Sequence, residues 1–126
     1  MFLAELQSEE KVAFLELASL IARIDGHRSI FENSLLEKYK KEMEIEEYTI
    51  QNLPVEEAVR AFKTERSKNI VLTELLRLVY SDGVYQNQEK ESFRLIKKYF
   101  GFDSNEYESF KDWLAKIKEL ENYPEY

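Results

Sequence analysis

The sequence predicts an all-α protein, a compact bundle of about six or seven helices with an internal pseudo-two-fold duplication. Three observations carry that prediction. Apolar residues recur at three and four positions nearly throughout, while only Pro54, Pro124 and three glycines interrupt the run. Two of those glycines stand in matching pairs, Asp25-Gly26 and Asp82-Gly83, and a glutamate follows seven places after each Asp, at Glu32 and Glu89. Sliding the chain by the 57 positions between the pairs (25 to 82) lays Phe14 on Val71, Leu15 on Leu72, Ala18 on Leu75, Ile21 on Leu78 and Ala22 on Val79. It also lays Leu36 on Phe93, Tyr39 on Ile96, Met43 on Phe100, and Lys40-Lys41 on Lys97-Lys98. A repeat that keeps an apolar stripe, a turn and an acid in register implies two related helix pairs, with their turns free to face each other across one core.

Each element has a local reason. Ser8 can cap a first helix whose opening Glu9 and Glu10 suit the positive end of the dipole, with Phe14, Leu15, Ala18, Ile21 and Ala22 as its buried face. That helix is expected to end near Asp25-Gly26. Ser29-x-x-Glu32 reads as a capping box opening a second helix through Leu35, Leu36, Tyr39 and Met43. A short helical turn is expected over 46–52, and then Pro54 as first residue of a third helix carrying Val55, Ala58, Val59 and Phe62. Thr64 or Ser67 can cap the fourth. Its Ile70, Val71, Leu72, Leu75, Leu76, Leu78 and Val79 leave almost no polar face, which predicts the centre of the core. A fifth helix should run from about Gln88 to Phe100 and stop at Gly101 in a left-handed C-cap. Asp103-x-x-Glu106 reads as a capping box for a last helix in which Tyr107, Phe110, Trp113, Leu114, Ile117 and Leu120 pack back on the core before Pro124 ends it.

Composition narrows the functional classes. At 126 residues and 44% hydrophobic content the chain fits one domain spanning 1–126. The absence of cysteine removes disulfides, thiolate metal sites and cysteine nucleophiles, and fits a reducing, cytoplasmic setting. No apolar run approaches the ~20 residues that span a bilayer, and the acidic start Met1-Phe2-Leu3-Ala4-Glu5 does not read as a signal peptide. A formal charge of −7 with no basic stripe disfavours nucleic acid. The partner expected is another protein, and the oligomeric state is left open.

The acidic turns hold the most pointed chemistry. Asp-Gly-x6-Glu matches the second half of an EF-hand loop, but the earlier ligand positions fall on Ile21 and Arg23 in one copy and on Leu78 and Tyr80 in the other. A complete EF-hand is therefore excluded. If the turns meet, Asp25, Glu32, Asp82 and Glu89 offer four carboxylates, which repel by roughly 1 kcal/mol per pair in water and about 4 at an effective dielectric near 20. Such a group needs protons, basic partners or a hard divalent cation such as Ca²⁺, Mg²⁺ or Mn²⁺. The bland alternative is that Asp-Gly is a common turn pair and both glutamates serve helix N-termini. Capping explains Glu89 less well than Glu32, because Ser29 of the first copy corresponds to Gln86 in the second. His27 could add a nitrogen ligand, but Val84 takes its place in the second copy.

The order of these motifs resembles the TerB-like tellurite-resistance family over nearly the whole chain. The residues carrying the resemblance are the apolar helices ending Ser19-Leu20-Ile21-Ala22-Arg23-Ile24-Asp25-Gly26 and Leu78-Val79-Tyr80-Ser81-Asp82-Gly83, with Leu53-Pro54-Val55-Glu56-Glu57-Ala58 between the halves. The resemblance implies an all-helical bacterial stress-response accessory without enzymatic activity and with a metal site at Asp25, Glu32, Asp82 and Glu89. Two departures stand out: Ile24 and Ser81 replace the family's small alanine before the Asp, and Arg28 replaces an apolar residue. Arg28 could neutralise the first half-site, so the second is the better candidate.

Nothing points to catalysis: there is no Ser-His-Asp arrangement around the single histidine, no phosphate loop and no HExxH. Tyr80 and Tyr85 flank the second acidic turn and could orient a carboxylate or join a contact surface. The competing reading is a helical protein–protein interaction module without metal, in which the acids only cap helices and the aromatic tail around Trp113 contacts a partner.

Overall fold

The computed structural model describes residues 2–23, 30–80 and 87–122, with backbone alone at 30–32 and 87–89. Both Asp-Gly pairs, with His27, Arg28, Ser29 and Tyr85, lie outside the described residues, as does Pro124. Among the described residues there are six α-helices and no strand: α1 (Ser8–Ala22), α2 (Ile30–Glu42), α3 (Val55–Val59), α4 (Glu65–Tyr80), α5 (Asn87–Tyr99) and α6 (Phe110–Glu121), preceded by a 3-10 turn at Leu3–Glu5. No helix among them is long and apolar enough to cross a membrane.

The centre of the bundle is the pair α1 and α4. α1 packs on α2, α3, α4 and α5, while α4 packs on α1, α5 and α6. As its sequence predicts, α4 buries Ile70, Val71, Leu72, Leu75, Leu76, Leu78 and Val79, each contributing roughly 1.5–3 kcal/mol. Opposite it α1 buries Phe14, Leu15, Leu17, Ala18, Ile21 and Ala22. α2 and α5 add Leu36, Tyr39, Phe93 and Ile96, and Met43 and Phe100 follow directly on their last turns. Both members of every apolar pair matched by the 57-position shift (25 to 82) are buried.

Several helix ends depart by one residue or more from the sequence reading. Gln7, not Ser8, is the N-cap of α1, and its backbone N–H donates to Glu10 Oε1 at 2.8 Å, which spends that buried carboxylate on the helix end. Pro54 is the N-cap of α3, not its first residue. Thr64 caps α4, its Oγ1 accepting from the Ser67 N–H at 3.1 Å. Gly101 takes φ +83° and closes α5 as expected: its N–H reaches the Lys98 carbonyl at 2.9 Å and the Phe102 N–H reaches the Lys97 carbonyl at 3.2 Å.

Two expectations are corrected, and for related reasons. The helical turn expected over 46–52 is reduced to one hydrogen-bonded turn, the Tyr48 N–H reaching the Ile45 carbonyl at 3.0 Å, and no helix follows. That stretch is drawn along α1 by Glu16, a side chain only 3% exposed, whose carboxylate accepts from the Tyr48 hydroxyl, the Gln51 N–H at 2.7 Å and the Leu53 N–H at 3.0 Å. Backbone donors that a helix would have satisfied internally are satisfied across the fold instead. The last helix starts at Phe110, not near Asp103. The Asp103 N–H does donate to Glu106 Oε2 at 2.8 Å, but the turn does not propagate, because Tyr107 adopts φ +61°. Its ring is buried against Phe93 and Phe102, its hydroxyl donates to Asn69 Oδ1, and its N–H donates to Asp112 Oδ2 at 2.6 Å. Ser109 then caps α6 through the Asp112 N–H at 3.0 Å. The late start leaves Phe110 and Leu114 on the surface, 59% and 40% exposed, so the expectation that both pack on the core is corrected. Leu120 and the half-buried Trp113 hold α6 on α4 instead.

Candidate functional site

Of the four acids singled out by the sequence, Asp25 and Asp82 lie outside the described residues, and of Glu32 and Glu89 only the backbone is described. Glu32 and Glu89 each stand third in their helices, α2 and α5. Among the described residues no three His, Cys, Asp or Glu side chains gather in a group fit to hold a metal. Tyr80, expected beside the second turn, is described, and it belongs to a different constellation.

That constellation is an aromatic cleft between α4 and α6. Thr73, Arg77 and Tyr80 fall at i, i+4 and i+7 on α4 and so share one face, and Phe110 and Trp113 share a face of α6. Arg77, Tyr80, Phe110 and Trp113 line a cavity of about 380 Å³. The Trp113 indole N–H donates to the Thr73 carbonyl at 2.9 Å, which fixes the ring as the cleft's inner wall. Phe110 lies with its ring centre 5.4 Å from that of Trp113, tilted by 39°, and forms the exposed lip. The Arg77 guanidinium sits 5.9 Å from the centre of the Trp113 ring, within reach of a cation–π attraction. Its Nε lies 3.7 Å from Glu74 Oε2, a carboxylate only 3% exposed, too far for a good hydrogen bond. Among the described residues that buried Nε has no hydrogen-bond partner. An arginine held over a tryptophan beside an exposed phenylalanine can receive an apolar group and a carboxylate together.

A second cavity, of about 650 Å³, is lined by Arg94, Lys97, Lys98, Phe102, Ser104 and Glu108. Lys97 and Arg94, two of its three bases, are already committed. Lys97, 3% exposed, places three donors on the Ser104 carbonyl at 2.9 Å, the Glu106 carbonyl at 2.8 Å and Glu108 Oε2 at 2.8 Å. An ammonium has three donors, so it has none left for a ligand. Arg94 donates to Glu108 Oε1 at 2.8 Å, and that bond, with the help of Lys97, draws the Glu108 carboxyl down to about 2. This cluster ties the 103–109 connection to α5. Among the described residues, the Tyr39 hydroxyl donates to the Glu74 carbonyl at 3.4 Å and that of Tyr99 to Glu56 Oε1 at 2.9 Å. Burial pushes the Tyr39 and Tyr107 phenols well above their ordinary value.

The sequence reading missed Arg77 and Glu16. Each carried a faint signal, a charged residue inside the most apolar run of its helix. Comparisons of the chain with protein-family models, with curated proteins and with solved structures return no match.

Proposed function

We propose that this chain is a non-enzymatic helical accessory module that holds a protein partner on the aromatic face between α4 and α6. The observation carrying this reading is the combination of Phe110 and Leu114 exposed on one helix ridge with a cavity beside them walled by Arg77, Tyr80 and Trp113. Aromatic and arginine side chains around a pocket are the usual anchors of protein interfaces, and large apolar side chains left in water at i and i+4 favour a cover. Replacing Phe110 with a photoreactive benzoylphenylalanine in the cells that make the protein should give a discrete covalent adduct under illumination. The same replacement at Lys38, exposed on α2, should not. No adduct at position 110, or the same adducts from both positions, overturns the reading.

A second reading places a divalent cation at Asp25, Glu32, Asp82 and Glu89, in a TerB-like stress-response or tellurite-resistance accessory descended from a duplicated helix pair. Support for the duplication comes from α2 and α5, whose bounds lie 57 positions apart at both ends (30 to 87, 42 to 99), and from the burial of both members of each matched apolar pair. Support for the site comes from α1 and α4, the helices that lead to the two Asp-Gly pairs, which pack on each other. Ca²⁺, Mg²⁺ or Mn²⁺ at ~100 times its dissociation constant would stabilise the chelator-treated protein by about 2.7 kcal/mol, a melting shift on the order of ten degrees. Asp82→Asn should abolish that shift more completely than Asp25→Asn, because in the sequence Arg28 falls between Asp25 and Glu32 and its charge offsets that half-site. A transition that no divalent ion moves removes this reading and leaves the docking face untouched.

A further inference from the structure

Resting on the docking reading, we infer that the occupant of the α4–α6 face is an acidic amphipathic helix of a partner protein, which seats an apolar side chain in the cleft and a carboxylate on Arg77. The ridge has the form such a helix needs. Phe110 and Leu114 stand one turn apart, and the cavity of about 380 Å³ opens beside them, so an incoming helix can lay apolar residues spaced three and four apart along the ridge and into the cleft.

Charge decides between possible partners. Arg77 borders the ridge from α4, and Lys111 and Lys118, both exposed, border it on the outer flank of α6. Helical spacing sets Asp112 and Glu119 on the side of α6 opposite Phe110; of the acids on that helix only Glu121 falls near the ridge, at its far end. The chain as a whole carries −7, so an acidic partner is repelled at long range. Within the screening length of about 8 Å at physiological salt, however, Glu74 offsets part of the charge of Arg77, and the exposed Lys111 and Lys118 carry the local preference. Arg77 adds a specific contact: its Nε is buried, but its side chain is 40% exposed, so a carboxylate entering the cleft can meet the outer edge of the guanidinium. A second copy of the chain is disfavoured by the same charges, because a two-fold contact through this face would set Arg77, Lys111 and Lys118 against their own equivalents.

Trp113, the single tryptophan, reports the encounter directly. The probes are two synthetic amphipathic helices of about four turns with the same leucine and phenylalanine stripe, one flanked by glutamates and the other by lysines. Titrated against the full chain, the glutamate helix should shift Trp113 emission and bind at least tenfold more tightly, a preference that shrinks as salt rises. Arg77→Gln should reduce that preference. Lys111→Glu with Lys118→Glu, two exposed changes that leave the core alone, should erase or reverse it. Phe110→Ser should weaken both helices. Equal binding of the two helices, or a preference that survives the double charge reversal, overturns the acidic partner while leaving a docking face. Binding of neither probe overturns it as well, and the adduct from position 110 then tells whether the face docks a partner of other chemistry. A concentration-dependent dimer that Phe110→Ser dissolves would assign the face to a second copy and sink the proposal.

Discussion

Removing the Glu16 carboxylate should loosen the whole 43–54 connection. One side chain of α1 holds three donors of that segment: the Tyr48 hydroxyl and the N–H groups of Gln51 and Leu53. The segment needs holding, because Glu44 and Asn52 both sit at φ +58°, a left-handed conformation that costs a non-glycine residue roughly 1 kcal/mol. Hydrogen bonds to a charged group contribute about 1.5–3 kcal/mol each when buried, but Gln51 is exposed and water replaces part of its loss. Glu16→Ala should therefore cost about 3 kcal/mol rather than the full sum of three bonds. With an unfolding entropy of about 2.1 cal/mol/K per residue, that loss lowers the melting temperature of a chain this long by roughly 11 °C. Glu16→Gln keeps one acceptor oxygen and should cost about half as much. Urea titrations of Glu16→Ala, Tyr48→Phe and the double variant close a cycle, in which a coupling near 1 kcal/mol is expected. A loss under 1 kcal/mol in Glu16→Ala, or additive single changes, would show that packing of Ile45, Tyr48 and Ile50 holds the connection and that the carboxylate does not.

Three further outcomes follow from the same contacts. Gly101→Ala meets no atom within 4 Å of its new Cβ, so its whole cost is the left-handed φ of +83°; a urea midpoint should report a loss of about 1 kcal/mol, and Gly101→Asn a smaller one, whereas equal losses would point to a hidden clash. Glu108, drawn from 4.5 down to about 2 by Arg94 and then Lys97, contributes stability that is complete above pH 4.5 and lost as pH falls toward 2. Part-exposed as it is, the contribution is held by solvent screening to about 1 kcal/mol, so the stability gap between the native chain and Glu108→Gln should close across that window; a gap independent of pH contradicts the pairing. Lys97→Met strands two loop carbonyls and should cost about 3 kcal/mol while raising hydrogen exchange across 103–109, and unchanged exchange there would mean Tyr107 alone pins the connection.

Much of this protein was determined by local pattern. The apolar stripes of α1 and α4, the cap at Thr64 and the left-handed stop at Gly101 were all legible because each depends on residues within a turn or two of one another. The four acids of the Asp-Gly turns were equally visible as a spacing, though spacing alone does not bring side chains together. What the tertiary structure decided were the places where a long-range partner outbid a local one. Glu16 captured the donors of 48–53 from 32 to 37 positions away in sequence, and no helix forms there. Buried Tyr107, bonded to Asn69, moved the start of α6 to Phe110, which turned part of an apparent core stripe into the exposed lip of a cleft. Periodicity records which face of a helix is apolar, but not whether the chain that covers it is its own. Only the packing of α6 on α4 shows that Phe110 and Leu114 stay exposed and that Arg77 lines the same cleft as Phe110.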